Sequence, residues 1–242
     1  MQQKDNETRE ALNARGQWYE RHFAGLVPRY ALFSLPCAFL LNFPTYWLPQ
    51  LLMRNAAHTD LTTELDRRIP FCPAWVLVYF GCYLVWCLGY LLVAQQGKKG
   101  WFRYASADLL SRAVCAVFFI AFPTTMVRPE LTGSGFIMDA TRFLYMADAP
   151  TNLLPSLHCL LSTMCWIGVR GNRRIPRWKK IFFLTAAVLV YVSTLLVKQH
   201  VIVDVFAGIL LAEAAMYAVR FIPLGSFLED LFDRLDRMVF RS

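Results

Sequence analysis

Charge is scarce in this sequence. Only 17% of its 242 residues are Asp, Glu, Lys or Arg, against roughly 25% in soluble domains. Tyr30–Met53 and Ile69–Gln96 carry no charge at all. Nor does the start read as a cleavable signal: the first 22 residues are polar, and no apolar core begins before residue 30. No internal repeat or low-complexity tract stands out. The seven cysteines fall in or beside apolar runs, without the loop positions of a disulfide framework or the spacing of a zinc site. They read as buried, inert thiols. No basic stripe interleaves with aromatics, so the +8 net charge does not read as a nucleic-acid footprint.

What the sequence has in quantity is apolar length. Hydrophobic residues make up 57% of the chain, and a helix needs roughly 20 of them in a row to cross a bilayer. Six runs qualify as spans: Tyr30–Met53, Ile69–Gln96, Ala105–Val127, Thr151–Val169, Ile181–Val197 and Val201–Val219. In the third, Asp108 and Arg112 are spaced i, i+4 with the acid first, which suits a helix. The expected fold class is all-α, a polytopic membrane protein built as a six-helix bundle. An N-terminal segment covers 1–29, the transmembrane domain 30–221, and an amphipathic helix 222–242. That last helix is signalled by a capping box, Ser226 with Glu229, ahead of apolar residues at helical spacing. It lies on the inner leaflet or packs on the bundle or a partner.

Six spans place both termini and the 2–3 and 4–5 loops on one face. Eighteen basic residues collect there, against six on the other. Basic residues accumulate on the cytoplasmic side, so the termini are expected inside, with a bacterial inner membrane as the simplest location. On that topology several ionisable or polar residues reach one depth at the outer face. Arg128 ends the third span, Asn152, Ser156 and His158 enter the fourth, and Lys198, His200 and Asp204 surround the start of the sixth. Charged groups at that depth must pair or function. Pro155 suits a first helical position, leaving the N–H groups of Ser156, Leu157 and His158 for an anion, with Asn152 as cap or extra donor. His200 and Asp204 share one helical face, so the carboxylate can hold one ring nitrogen and leave the other free to attack. Arg128 and Lys198 add positive charge where phosphoryl oxygens would sit.

The ordered set "VRP" (127–129), "PSLH" (155–158) and "H-x3-D" (200–204) resembles the signature of the type 2 phosphatidic acid phosphatase superfamily. The resemblance implies a six-helix core and metal-independent chemistry through a phosphohistidine, with no cofactor. By motif position it makes His200 the nucleophile, Asp204 its orienting partner and His158 the acid for the leaving group. Arg128 and Ser156 would bind phosphate. Two motif cations are missing: Ala121 and Thr194 stand where the superfamily has lysine and arginine, and Lys198 is the candidate substitute. Such thinning is similar to the lipid phosphotransferase branch, which includes sphingomyelin and inositol phosphorylceramide synthases.

The expected activity is hydrolysis of a lipid phosphomonoester or pyrophosphate. The alternative is transfer of a phospho-headgroup to a lipid alcohol. The partners are a lipid phosphate or phospholipid and the bilayer, not nucleic acid. A transporter or metal-binding protein using His158, His200 and Asp204, and a non-catalytic lipid-binding relative, are the remaining readings. Glu213, about 13 Å beyond Asp204 along the helix, is read as pairing inside the bundle or approaching the inner face. The outer loop 58–71 reads as a solvated connection, or else as part of a substrate mouth. The crossover 129–150 is a lid or a plain link, with Asp139, Arg142 and Asp148 as headgroup contacts.

Overall fold

The fold is described by a computed structural model covering residues 16–240. Lys4, Arg9, Arg15 and Arg241 of the inner-face charge count, and residues 1–15 of the N-terminal segment, lie outside the described residues. The chain is mostly helical. Its elements are α1 (Ser34–Leu40), α2 (Asn42–Met53), β1 (Thr59–Asp60), α3 (Glu64–Arg68), α4 (Val76–Ala94), α5 (Lys98–Ala121), β2 (Thr124–Thr125), α6 (Phe136–Ala147), α7 (Leu157–Arg170), α8 (Arg177–Leu196), α9 (Ile202–Ala218) and α10 (Leu224–Phe240).

Four helical stretches are long and apolar enough to cross a membrane: Arg29–Met53, Pro73–Ala94, Lys98–Ala121 and Arg177–Leu196. Their ends follow from local chemistry. Gly97, at φ +118°, turns the chain between α4 and α5, and Phe122–Pro123 ends α5 because proline disfavours helix in the residue before it. The other two apolar runs give shorter helices. α7 has 14 residues and α9 has 17, about 21 and 26 Å at the helical rise. In both, the polar motif residues occupy the first turn or the approach to it.

The core lies where α4, α5, α7 and α9 meet, around Tyr90, Trp101, Phe102, Tyr104, Leu160 and Met164. The outward faces are apolar too, as at Leu84, Ile181, Phe206 and Leu210, an arrangement suited to lipid. An ion pair buried deep in the core is Asp108–Arg112, at 3.0 Å with both side chains almost fully covered. Tyr90 donates to Asp108 at 2.7 Å, and Arg112 donates to Tyr90 at 3.2 Å and to Asn42. The charges face inward and neutralise each other, as intramembrane charges must.

α10 folds back against α5. Lys98 reaches Glu229 (3.3 Å) and Asp233 (2.7 Å), and Arg29 donates to Asp236 at 2.9 Å. Ser226 is not the cap that the sequence suggests: the helix starts at Leu224, and Ser226 donates back to the Pro223 carbonyl. Glu229 is spent on Lys98. Leu228 is buried against the bundle while Phe227 and Met238 point outward.

The connections at the histidine end of the bundle are ordered. β1 pairs parallel with β2, and Thr125 bridges Thr151. α3 carries a capping box between Thr63 and Asp66, and Asp66 also accepts the Ile202 N–H at 2.7 Å. Lys198 donates to the Asp66 and Ile69 carbonyls at 3.1 and 2.6 Å. The 58–71 loop is therefore clasped to the α8–α9 turn through Asp66, while most of its other residues stay exposed. Burial raises the Asp66 carboxyl, but hydrogen bonds from Thr63 and Ile202 and the nearby Lys198 outweigh it, holding it below the usual carboxylate range. A lowered pKa means stability that is present above the unfolded value, roughly 3.9, and lost as pH falls through the lower folded one. Asp66→Asn is expected to cost about 1–3 kcal/mol at neutral pH. Melting temperatures of variant and parent in detergent should converge as pH drops below about 4; a gap unchanged at that pH would show that charge plays no part.

Candidate active site

His158, in α7, and His200, in the turn that leads into α9, stand with ring centroids 5.9 Å apart. Each is placed at a helix start. Ser156 is the cap of α7, its hydroxyl accepting the Cys159 N–H at 3.3 Å, so His158 is the second helical residue. Asp204, in the first turn of α9, accepts the Val201 N–H at 2.9 Å, which holds the turn carrying His200. The two helix starts are tied directly: the Ser156 N–H donates to the Asp204 carbonyl at 3.1 Å.

The residues split by what they face. His158, His200 and Asn152 line a cavity of about 630 Å³ that is otherwise largely aromatic, with Phe43, Tyr83 and Trp86 on its walls. That volume is typical of a small-molecule site. Arg128, Lys198 and again His200 line a second cavity of about 450 Å³, with Asp66 and Arg67. His200 is the residue common to both. Its Nδ1 lies 3.4 Å from Asp204 Oδ2, long for a hydrogen bond. Asp204 is fully buried, and its Oδ1 has no partner among the described residues.

Three sequence expectations change. Pro155 is not the first helical residue, and the Ser156 N–H is not offered to an anion because the Asp204 carbonyl takes it. Ser156 itself is wholly buried as a cap and lines neither cavity. Lys198 reaches the second cavity, but two of its three donors go to carbonyls, and burial pulls its pKa below the ordinary lysine value. Of the crossover's charged residues, Asp139 and Arg142 pair with each other at 2.6 Å on the surface, while Asp148 enters the site.

Asp148 opens a relay that the sequence barely signals. Tyr79 Oη sits 3.1 Å from Asp148 Oδ2 and 3.3 Å from His158 Nδ1, and Tyr46 donates to the same carboxylate. Tyr79 is fully buried, its ring 4.4 Å from that of His158. With Tyr79 donating to Asp148, its oxygen accepts from His158 Nδ1, and His158 Nε2, which has no partner among the described residues, is left for the cavity. Gln199, which no motif marks, also enters the site: its Oε1 accepts from Arg128 at 2.5 Å. Arg128 in addition donates to the Asp148 carbonyl at 2.6 Å and lies over Tyr145 at 4.6 Å. Tyr79 is 79 residues from His158 in the chain, inside an unbroken apolar run, so no local pattern marks it.

Strain gathers here as well. The two non-glycine residues with positive φ among those described are Asn152 (56°) and Lys198 (53°), one on the approach to each histidine. Such conformations cost about 1–3 kcal/mol and cluster at functional sites. Among the described residues no group of three or more His, Cys, Asp or Glu side chains gathers as a metal-ligand set. No protein-family model, curated protein or solved structure matches this chain.

Proposed function

We propose that this protein is an integral membrane enzyme that removes or transfers the phosphoryl group of a lipid through a phosphohistidine. The observation that carries the reading is the meeting of two histidines at the junction of an aromatic cavity and a basic one, with a buried carboxylate behind His200. In this reading the shorter α7 and α9 also cross, which makes six crossings with α10 along the inner leaflet. The histidines then face outward and the basic loops the cytoplasm.

The lipid chain occupies the aromatic cavity and presents its phosphate between the rings. His200 attacks phosphorus through the nitrogen that Asp204 does not face, forming a P–N bond as the P–O bond to the leaving group breaks. His158 gives that oxygen its proton. Arg128, always charged, offsets the charge on the phosphoryl oxygens. Water or an alcohol next attacks phosphorus, His158 takes its proton, and His200 is regenerated. Asp148, through Tyr79, holds the His158 ring. Tyr79→Phe is expected to lower kcat by about 10- to 100-fold with KM and melting temperature little changed. A loss confined to KM would remove Tyr79 from this role.

Transfer to a lipid alcohol has its own support. Thr194, at a missing motif cation, is buried, and Lys198 is tied to carbonyls, so the site is poorer in free charge than a simple phosphatase of the superfamily. The second cavity opens on the far side of His200 with space for more than water.

The test is purified protein in detergent with EDTA, given lipid phosphates and common phospholipids with and without diacylglycerol or ceramide. Inorganic phosphate released from monoesters identifies a phosphatase. A new phospholipid formed only with acceptor identifies a transferase. Silence on every substrate, or activity that EDTA removes, overturns the proposal.

A further inference from the structure

The helices that begin at or just after the histidines carry a second polar cluster at their other end. α7 ends at Arg170 and α9 runs through Glu213 toward Arg220. Together with Arg103 of α5 these line a groove of about 440 Å³. Glu213, for which the catalytic reading has no use, is bound by Arg170 through two contacts of 2.5 and 2.7 Å. One carboxylate thus satisfies one of three guanidinium groups. Arg103 and Arg220 have no carboxylate partner among the described residues, and Arg220 lies over the Tyr217 ring at 5.4 Å. Gln96 is held in place by Asn172, whose amide donates to it at 2.8 Å, and by the Gly168 carbonyl at 3.0 Å.

The remaining wall is apolar: Val93, Ile167 and Met216. A basic rim over an apolar wall, between helices at one end of a membrane bundle, fits a phosphate that carries a hydrocarbon group. Guanidinium groups suit phosphate because each offers several donors in one plane. We propose that this groove binds the phosphate of an anionic phospholipid, at the end of the bundle opposite the histidines, as a site separate from turnover. Arg103 and Arg220 make the contact, and the Arg170–Glu213 pair sets the groove's width.

The test uses the full chain, purified in detergent, and native mass spectrometry with short-chain phosphatidylglycerol, phosphatidylcholine and inorganic phosphate as probes. Phosphatidylglycerol should bind in preference to phosphatidylcholine. Arg103→Gln combined with Arg220→Gln should weaken it by roughly tenfold or more, whereas both arginines changed to lysine should retain part of the binding. Arg173→Gln with Arg174→Gln removes the same charge outside the groove and should change little. Competition by inorganic phosphate at similar concentration would support the phosphate contact but assign the site to a soluble ligand. Equal affinity for phosphatidylcholine, or equal loss in the two double variants, would overturn the site. The readout needs no turnover, so it stands or falls independently of the catalytic proposal.

Discussion

If the proposed phosphohistidine mechanism holds, replacing His200 by alanine is expected to lower turnover of a lipid phosphate by on the order of 10³-fold or more, with no labelled phosphoenzyme formed. The reason is chemical: in the proposed mechanism His200 makes the P–N bond while His158 is committed to protonating the leaving group, so positioning by Arg128 and the aromatic cavity alone leaves only residual catalysis. His158→Ala should be about as damaging toward a lipid ester, whose alkoxide leaves poorly unprotonated. Toward an aryl phosphate, whose leaving group needs no proton, it should still form the phosphoenzyme and then stall, because the base for the second step is gone. The label itself is diagnostic, since a phosphohistidine survives alkali and is lost in acid. Rates from the two variants on both ester types, with label trapping, check the assignment. Full activity in His200→Ala would end it. Melting temperature should stay close to that of the parent, since the backbone N–H of His200 bonds to the Thr194 carbonyl whatever the side chain.

Gly208→Ala is expected to damage both stability and activity. Gly208 lies in α9 where that helix crosses the start of α7. A methyl group there would come within 2.5 Å of the Ser156 carbonyl oxygen and 3.2 Å of the Leu160 nitrogen. Both are backbone atoms, so no rotamer change relieves the clash, and the helices must separate. Overpacking of this kind costs about 1–3 kcal/mol. The displaced elements carry His158 and Asp204, and a shift near 1 Å at a catalytic group can cost roughly 100-fold in rate. Gly81 supplies the contrast. It is also inside a helix, but an added methyl meets nothing within 4 Å, so Gly81→Ala should be neutral or stabilising by up to about 1 kcal/mol. Thermal unfolding and initial rates on the two variants decide the matter. If Gly208→Ala keeps parental activity, the close approach of α7 and α9 does not set the site.

The motif residues and the apolar runs were legible because each is a local pattern. A run of apolar residues long enough to leave water needs no partner to be recognised. His200 and Asp204 do not share a helical face as their spacing suggests, because α9 begins at Ile202; Asp204 in the first turn instead reaches back to the ring. The same locality explains the misreadings. Whether Pro155 or Leu157 opens α7 turns on which group accepts the Ser156 N–H, and that acceptor is the Asp204 carbonyl, 48 residues away. Lys198 reads as a spare cation until the Asp66 and Ile69 carbonyls are found around it.

By itself the sequence determined the helical class, the apolar runs, the asymmetry of basic charge and the order of the histidine motifs, all consequences of composition and of spacing within one turn. Only the tertiary structure decided which of the polar residues meet. Tyr79, Asp148 and Gln199 enter the site, and Ser156 withdraws to cap a helix. A groove appears around Glu213 at the far end. The physical reason is that hydrogen-bond partners and cavity walls are set by helix packing across long separations, where one backbone atom in the way, as at Gly208, is enough to decide which side chains can face each other.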